Sequence, residues 1–147
     1  MKRLAICLTL SLAVTGCTHP VTMNSLTPAR RQDVYDCALQ HMTQTGYVPN
    51  IDARDAGLLV GRRQTRQREL GVAGNKDFDE LTVSITEADS GMRKMEVTAD
   101  RARESHGTSS TLRSEKGPGD KVQGEAQALL NACTEAGIKR ELEMLGR

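Results

Sequence analysis

This chain of 147 residues has no tryptophan, one phenylalanine (Phe78) and two tyrosines (Tyr35, Tyr47). A core without aromatic bulk must be built from Leu, Val, Ile, Met and Ala, and it is expected to be thin for its length. Long apolar runs are missing as well. The longest, from Leu4 to Val14, spans about eleven residues, short of the roughly twenty that a membrane helix needs. No C-x-x-C, P-loop, G-x-G-x-x-G or G-x-S-x-G is present, so the redox, nucleotide and serine-hydrolase motifs are absent. His19, His41 and His106 lie far apart and show no metal-ligand spacing. Asp52 with Asp55, or Asp77 with Asp79 and Glu80, lack the dense alternation of an EF-hand loop, and turn or salt-bridge roles are expected for them. No catalytic residue, metal or cofactor is assigned.

What is present begins at the N-terminus. Lys2 and Arg3 form a short basic region, the apolar run follows, and Val14-Thr15-Gly16-Cys17 ends it with small residues before a cysteine. A basic start, a 7–15-residue apolar core and a small-residue cleavage site mark an export signal. The tetrad resembles the lipobox of bacterial lipoproteins. That resemblance implies cleavage before Cys17, lipidation of Cys17 with fatty acyl chains such as palmitate, and attachment to membrane lipid. Two or three chains, each buried CH₂ adding roughly 0.8 kcal/mol, anchor a protein stably where one does not. Thr18 stands after the cysteine in place of an aspartate. The pattern is similar to that of lipoproteins sorted to the outer membrane, and the periplasmic face is expected.

The organisation that follows is a signal over residues 1–16, lipidated Cys17 with a tether to residue 27, and one domain over residues 28–147. The tether (THPVTMNSLT) shows no helical period, and about ten flexible residues reach roughly 17–19 Å. Loss of Lys2 and Arg3 leaves 18 of 20 basic residues against 19 acidic ones, a net charge of −1. Near neutrality gives no general attraction to nucleic acid, and none is expected as a partner. Of the four cysteines, Cys7 leaves with the signal and Cys17 takes the lipid. Cys37 and Cys133 remain as an even pair in an oxidising compartment, where a disulfide is expected. Closing a loop of roughly 100 residues is valued at roughly 4–5 kcal/mol by the chain-entropy model.

Within the domain, Pro28 to Thr45 predicts a helix with Thr27 as N-cap, Pro28 at its first position and Gly46 as its stop. Val34, Cys37, Ala38, His41 and Met42 share one face of it. Tyr47–Ile51 predicts a short strand, at an edge because of Pro49. Leu58–Arg68 predicts a long strand ending in arginines, and Leu70–Lys76 a loop. Glu80–Thr86 and Met92–Arg103 alternate with period two around Asp89-Ser90-Gly91, a three-residue hairpin loop. In that register Ile85 faces Met95, Val83 faces Val97 and Leu81 faces Ala99. A one-residue slip would send every apolar side chain to the wrong face. Ser105–Asp120 reads as a polar loop. Lys121–Leu145 predicts a second helix with Val122, Ala126, Leu129, Leu130 and Cys133 inward, weakened at Gly137.

The expected fold is α+β: an antiparallel sheet of three or four strands with two helices on one face, in the order α-β-β-β-β-α. The candidate site is the arginine-rich strand. Arg62, Arg66 and Arg68 share a parity, and guanidinium groups grip phosphates and carboxylates. They are the candidate residues for binding an anionic envelope component such as lipopolysaccharide, phospholipid headgroups or peptidoglycan. The same hairpin register sets Arg101 opposite Asp79 and Arg103 opposite Asp77, cross-strand pairs that imply no ligand. The leading functional expectation is a non-enzymatic interaction or assembly-accessory module of the cell envelope, with an envelope protein as partner. Anion binding by the arginine strand is the alternative, and a small cell-wall hydrolase with an unrecognised site is a third reading.

Overall fold

The computed structural model describes residues 19–68, 75–89, 91–104, 111–113 and 117–146, with backbone alone at 66–68, 75 and 111–113. In chain order the elements are β1 (Val21–Thr27), α1 (Arg31–Gln44), β2 (Val48–Ala53), a 3-10 turn (Arg54–Ala56), β3 (Leu58–Arg68), β4 (Asn75–Glu87), β5 (Arg93–Glu104), β6 (Thr111–Arg113) and α2 (Asp120–Leu145). The strands form one antiparallel sheet in the order β1-β5-β4-β3-β2, and β6 pairs with the C-terminal end of β5. The α+β class and the two helices on the sheet agree with the sequence reading.

The hairpin β4–β5 has the expected register, with Ile85 opposite Met95, Val83 opposite Val97 and Leu81 opposite Ala99. All six side chains are buried. The turn is closed by the Ala88 N–H donating to the Met92 carbonyl at 2.9 Å. Both strands run further than the alternating core implied, to Asn75 and Glu104.

The largest departure lies at the start. The segment read as a tether contains β1, which pairs residue for residue with β5 from Val21 opposite Ala99 to Thr27 opposite Arg93. Its side chains alternate in burial, with Val21, Met23, Ser25 and Thr27 turned inward and Thr22, Asn24 and Leu26 outward. The segment lacks a helical period because its period is two. The tether therefore ends at Pro20, and the sheet gains an edge strand that brings the count to five across its width.

Helix α1 also starts later than expected. Thr27 closes β1, and its hydroxyl accepts the Ala29 N–H at 3.3 Å. The helix begins at Arg31 after Arg30, which supplies no side-chain cap. Its other end matches the expectation. Gly46 adopts φ 85°, its N–H reaches the Thr43 carbonyl, and the Tyr47 N–H reaches the Met42 carbonyl. This double closure needs the left-handed conformation that glycine adopts without strain.

α2 lies across β1 and β5, and α1 lies beside it over β2, β3 and β4. The buried cluster between the layers contains Val34, Tyr35, Ala38 and Met42 of α1 and Val122, Ala126, Leu129, Leu130 and Cys133 of α2. Opposite them stand Leu59, Leu81, Val83, Ile85, Met95, Val97 and Ala99 of the sheet. Cys37 and Cys133 form a disulfide that ties the helices together across a sequence separation of 96 residues. At Gly137, α2 passes close to the β1–α1 connection. A Cβ there would stand 2.5 Å from Ala29 Cβ and 2.7 Å from Thr27 Oγ1. The glycine that looked like a weak point in the helix is a contact site. Beyond it Ile138, Leu142 and Leu145 are exposed, turned away from the stripe that packs on the sheet.

Candidate functional site

A cluster of charged groups lies where the ends of β3, β4 and β5 pass beneath the first turns of α2. Arg63 of β3 is the centre. Its Nη1 and Nη2 donate to Glu125 Oε1 and Oε2 of α2 at 2.9 and 2.8 Å, a two-pronged charge-assisted pair. Nη2 also donates to Asp79 Oδ2 at 3.2 Å, and Nη1 donates to the Thr45 carbonyl at 3.0 Å. The guanidinium lies 4.5 Å over the Tyr47 ring, and the Tyr47 hydroxyl donates to Glu125 Oε2 at 2.8 Å. Two helix ends and two strands thus converge on one side chain.

The electrostatics follow from this packing. Burial and the hydrogen bond to Glu125 push the Tyr47 phenol well above its ordinary pKa. The hydrogen bonds that Arg63 donates to Glu125 raise Arg63 further, so it is permanently charged. Burial alone would raise Glu125, but hydrogen bonds from Arg63 and Tyr47 outweigh it and hold the carboxyl below its ordinary range. Around this centre, Arg101 Nη2 approaches Asp79 Oδ1 at 3.7 Å, and Arg103 Nε donates to Asp77 Oδ1 at 2.8 Å. Both pairs have the register that the sequence implied.

The proposed anion-binding trio does not form a single set. Arg62 stands opposite Glu80 on the open face of the sheet and donates Nε to its Oε2 at 2.6 Å. A register shift between Gln64 and Arg66 then leaves Thr65 as an extra residue in β3. Arg66 falls opposite Asp77 and Arg68 opposite Asn75, positions of the other parity from Glu80. The shared parity of 62, 66 and 68 along the sequence is thus broken by the bulge. The side chains of Arg66 and Arg68 lie outside the described residues, as do His106 and the loop at 69–74. Arg62 is engaged by its own carboxylate.

Of the carboxylates considered against the EF-hand pattern, Asp52, Asp77, Asp79 and Glu80 are occupied. Asp77, Asp79 and Glu80 hold arginines, and Asp52 accepts the Tyr35 hydroxyl at 2.6 Å. Burial and that hydrogen bond push Tyr35 up to about 12. Arg54 stacks 5.1 Å over the Tyr35 ring and pairs with Asp36 at 2.7 Å.

Two features were not legible in the sequence. One is the Arg63–Glu125 pair, whose partners are 62 residues apart. The other is a shallow depression on the open sheet face at the same end, lined by Val48, Pro49, Asn50, Arg62, Gln64, Phe78 and Glu104. Val48 is 69% exposed there. A second groove runs between the helices over the disulfide, bridged at its mouth by Arg140 Nη1 and Asp33 Oδ1 at 3.3 Å.

No family model and no curated protein matches this chain. Among solved structures it is similar to a DUF4468 family protein from Bacteroides ovatus, with 12% identity over 89% of this chain and 90% of that one and a TM-score of 0.39. It is similar to a TBP-like protein from Parabacteroides distasonis, with 6% identity over 88% and 96% and a TM-score of 0.37. A third similar structure is Ara h 8.0201, with 12% identity over 82% and 98% and a TM-score of 0.39. None of the three carries a functional assignment to this chain.

Proposed function

We propose that this chain is a lipid-anchored protein of the bacterial cell envelope, held by acylated Cys17 on the periplasmic face of the outer membrane. It acts there as a non-enzymatic interaction or assembly-accessory module with an envelope protein as partner. The observation that carries the reading is the run from Lys2 to Cys17, a basic start and short apolar core ending in Val14-Thr15-Gly16-Cys17. The Cys37–Cys133 disulfide supports export, since such bonds persist in oxidising compartments. The ion pairs centred on Arg63 join β3, β4 and α2, an arrangement suited to holding α2 on the sheet.

In-cell crosslinking of the native protein followed by pull-down and mass spectrometry tests the reading, with Cys17→Ala as control. A specific envelope protein captured from the membrane fraction and lost in Cys17→Ala is the expected result. Recovery of the wild-type chain as a soluble protein, or the same captures from both forms, would overturn it.

A further inference from the structure

We propose that the end of the sheet formed by β3, β4 and β5 rests on the lipid headgroups of the membrane that holds Cys17. The open-face depression around Phe78 is part of this contact. This inference rests on the lipid-anchor reading above and adds an orientation to it.

The argument is one of lengths. β1 begins at Val21, so only Thr18, His19 and Pro20 separate it from Cys17. Four fully extended steps span at most about 13–14 Å. Part of that length is used inside the headgroup layer, which is roughly 5–7 Å thick on each side of the hydrocarbon. Val21 stands opposite Ala99, but β5 continues to Glu104. β4 accompanies it, with Glu80 opposite Asp100 and Lys76 opposite Glu104. Five further steps of strand at about 3.4 Å each carry this end about 17 Å past the start of β1. The overhang points back toward the side from which the chain arrives, and it is longer than the tether. A domain standing upright on Cys17 would drive charged strand ends into the hydrocarbon, at several kcal/mol for each uncompensated charge. The sheet must instead tilt and lay its overhang along the surface.

The chemistry of the overhang suits a headgroup layer. Arg62, Lys76, Arg101 and Arg103 lie there among Asp77, Asp79, Glu80 and Glu104, and Arg62, Arg101 and Arg103 are paired with carboxylates. Among them the depression sets Phe78 and exposed Val48 on the open face. An aromatic and an aliphatic side chain set among charged groups suit the boundary between headgroups and acyl chains. The distal end lies away from this contact. α2 starts beside Arg101, passes Thr27 at Gly137, and carries Leu142 beyond the far end of β1.

The chain has no tryptophan, so a single one reports its own surroundings. Phe78→Trp and Val48→Trp are made in the full lipidated protein, with Leu142→Trp as the distal reporter. Each is reconstituted in phosphatidylethanolamine–phosphatidylglycerol vesicles carrying a nitroxide-headgroup lipid. Flotation of the vesicles reads anchoring separately from quenching. The expected result is that all three proteins float, that Trp emission at 78 and 48 is largely quenched, and that emission at 142 is not. An insert of about twenty Gly/Ser residues after Pro20, reaching roughly 22–27 Å, should abolish the quenching without affecting flotation. Failure to float overturns the anchor and the orientation together. Floating protein with equal quenching at both ends, with none at 78 and 48, or with quenching unchanged by the insert overturns the orientation alone.

Discussion

Arg63 and Glu125 meet through two parallel hydrogen bonds of 2.9 and 2.8 Å, one partner on the sheet and the other on the second helix. Their side chains are 19% and 18% exposed, so the pair is largely desolvated. Removing one member strands the other among Tyr47 and Asp79. Breaking a buried pair costs 3–5 kcal/mol. Arg63→Ala and Glu125→Ala are each expected to lose about 3 kcal/mol, near the lower end because some solvent reaches both groups. The apolar double variant Arg63→Met with Glu125→Leu should recover much of that loss, because neither charge is then left unpaired. Urea titration of the three variants reads this directly, and a double-variant loss equal to the sum of the two single losses would show that the pair has no coupling.

The two tyrosines give a pH test. Both phenols are raised in the folded state, Tyr35 to about 12 and Tyr47 further, by burial and by hydrogen bonds to Asp52 and Glu125. A raised folded pKa means that stability is fully present below the unfolded value of about 10 and is lost as pH rises through the folded value. Absorbance titration of native protein should therefore show no phenolate at pH values where the urea-unfolded chain is already ionised. Glu125 behaves in the opposite sense. Its folded pKa is lowered, so its contribution is present above the ordinary carboxylate value and is lost as pH falls through the folded one. Glu125→Gln should be less stable at neutral pH and should show a flatter acid limb.

Gly137→Ala separates helix propensity from packing. Alanine favours an exposed helix by about 1 kcal/mol over glycine. At this position the added methyl would meet Ala29 and Thr27 at 2.5 and 2.7 Å. Overpacking of 1–3 kcal/mol is expected to exceed the propensity gain, so the variant should melt lower. Leu142 is 64% exposed, and Leu142→Gln should change stability by no more than about 0.5 kcal/mol. Thermal melts of both variants distinguish the contact at 137 from a merely flexible turn.

The β4–β5 register was legible because its inward residues, Leu81, Val83, Ile85 and their partners, are all apolar and alternate strictly. β1 was not, because two of its four inward residues are Ser25 and Thr27 and its pairing partners lie 66 to 78 positions away in sequence. Pro20 and Pro28 on either side made the segment look like linker. The arginine strand was read with an unbroken parity, and nothing in the local sequence marks Thr65 as the extra residue of a bulge. Arg63 has Asp79 opposite it in the neighbouring strand, but its two-pronged partner, Glu125, arrives from α2. The helix faces, the disulfide pair and the edge position of Pro49 came from local rules of period, cysteine count and missing donor. Long-range charge pairing follows no such local rule.

The most direct measurement is the intact mass of the protein extracted from membranes of the organism that makes it. A chain starting at Cys17 with a diacylglycerol and a further acyl group on that residue is the expected mass. A chain beginning at Met1, or one beginning at an unmodified Cys17, would contradict the anchor and with it the placement of the domain on the membrane surface.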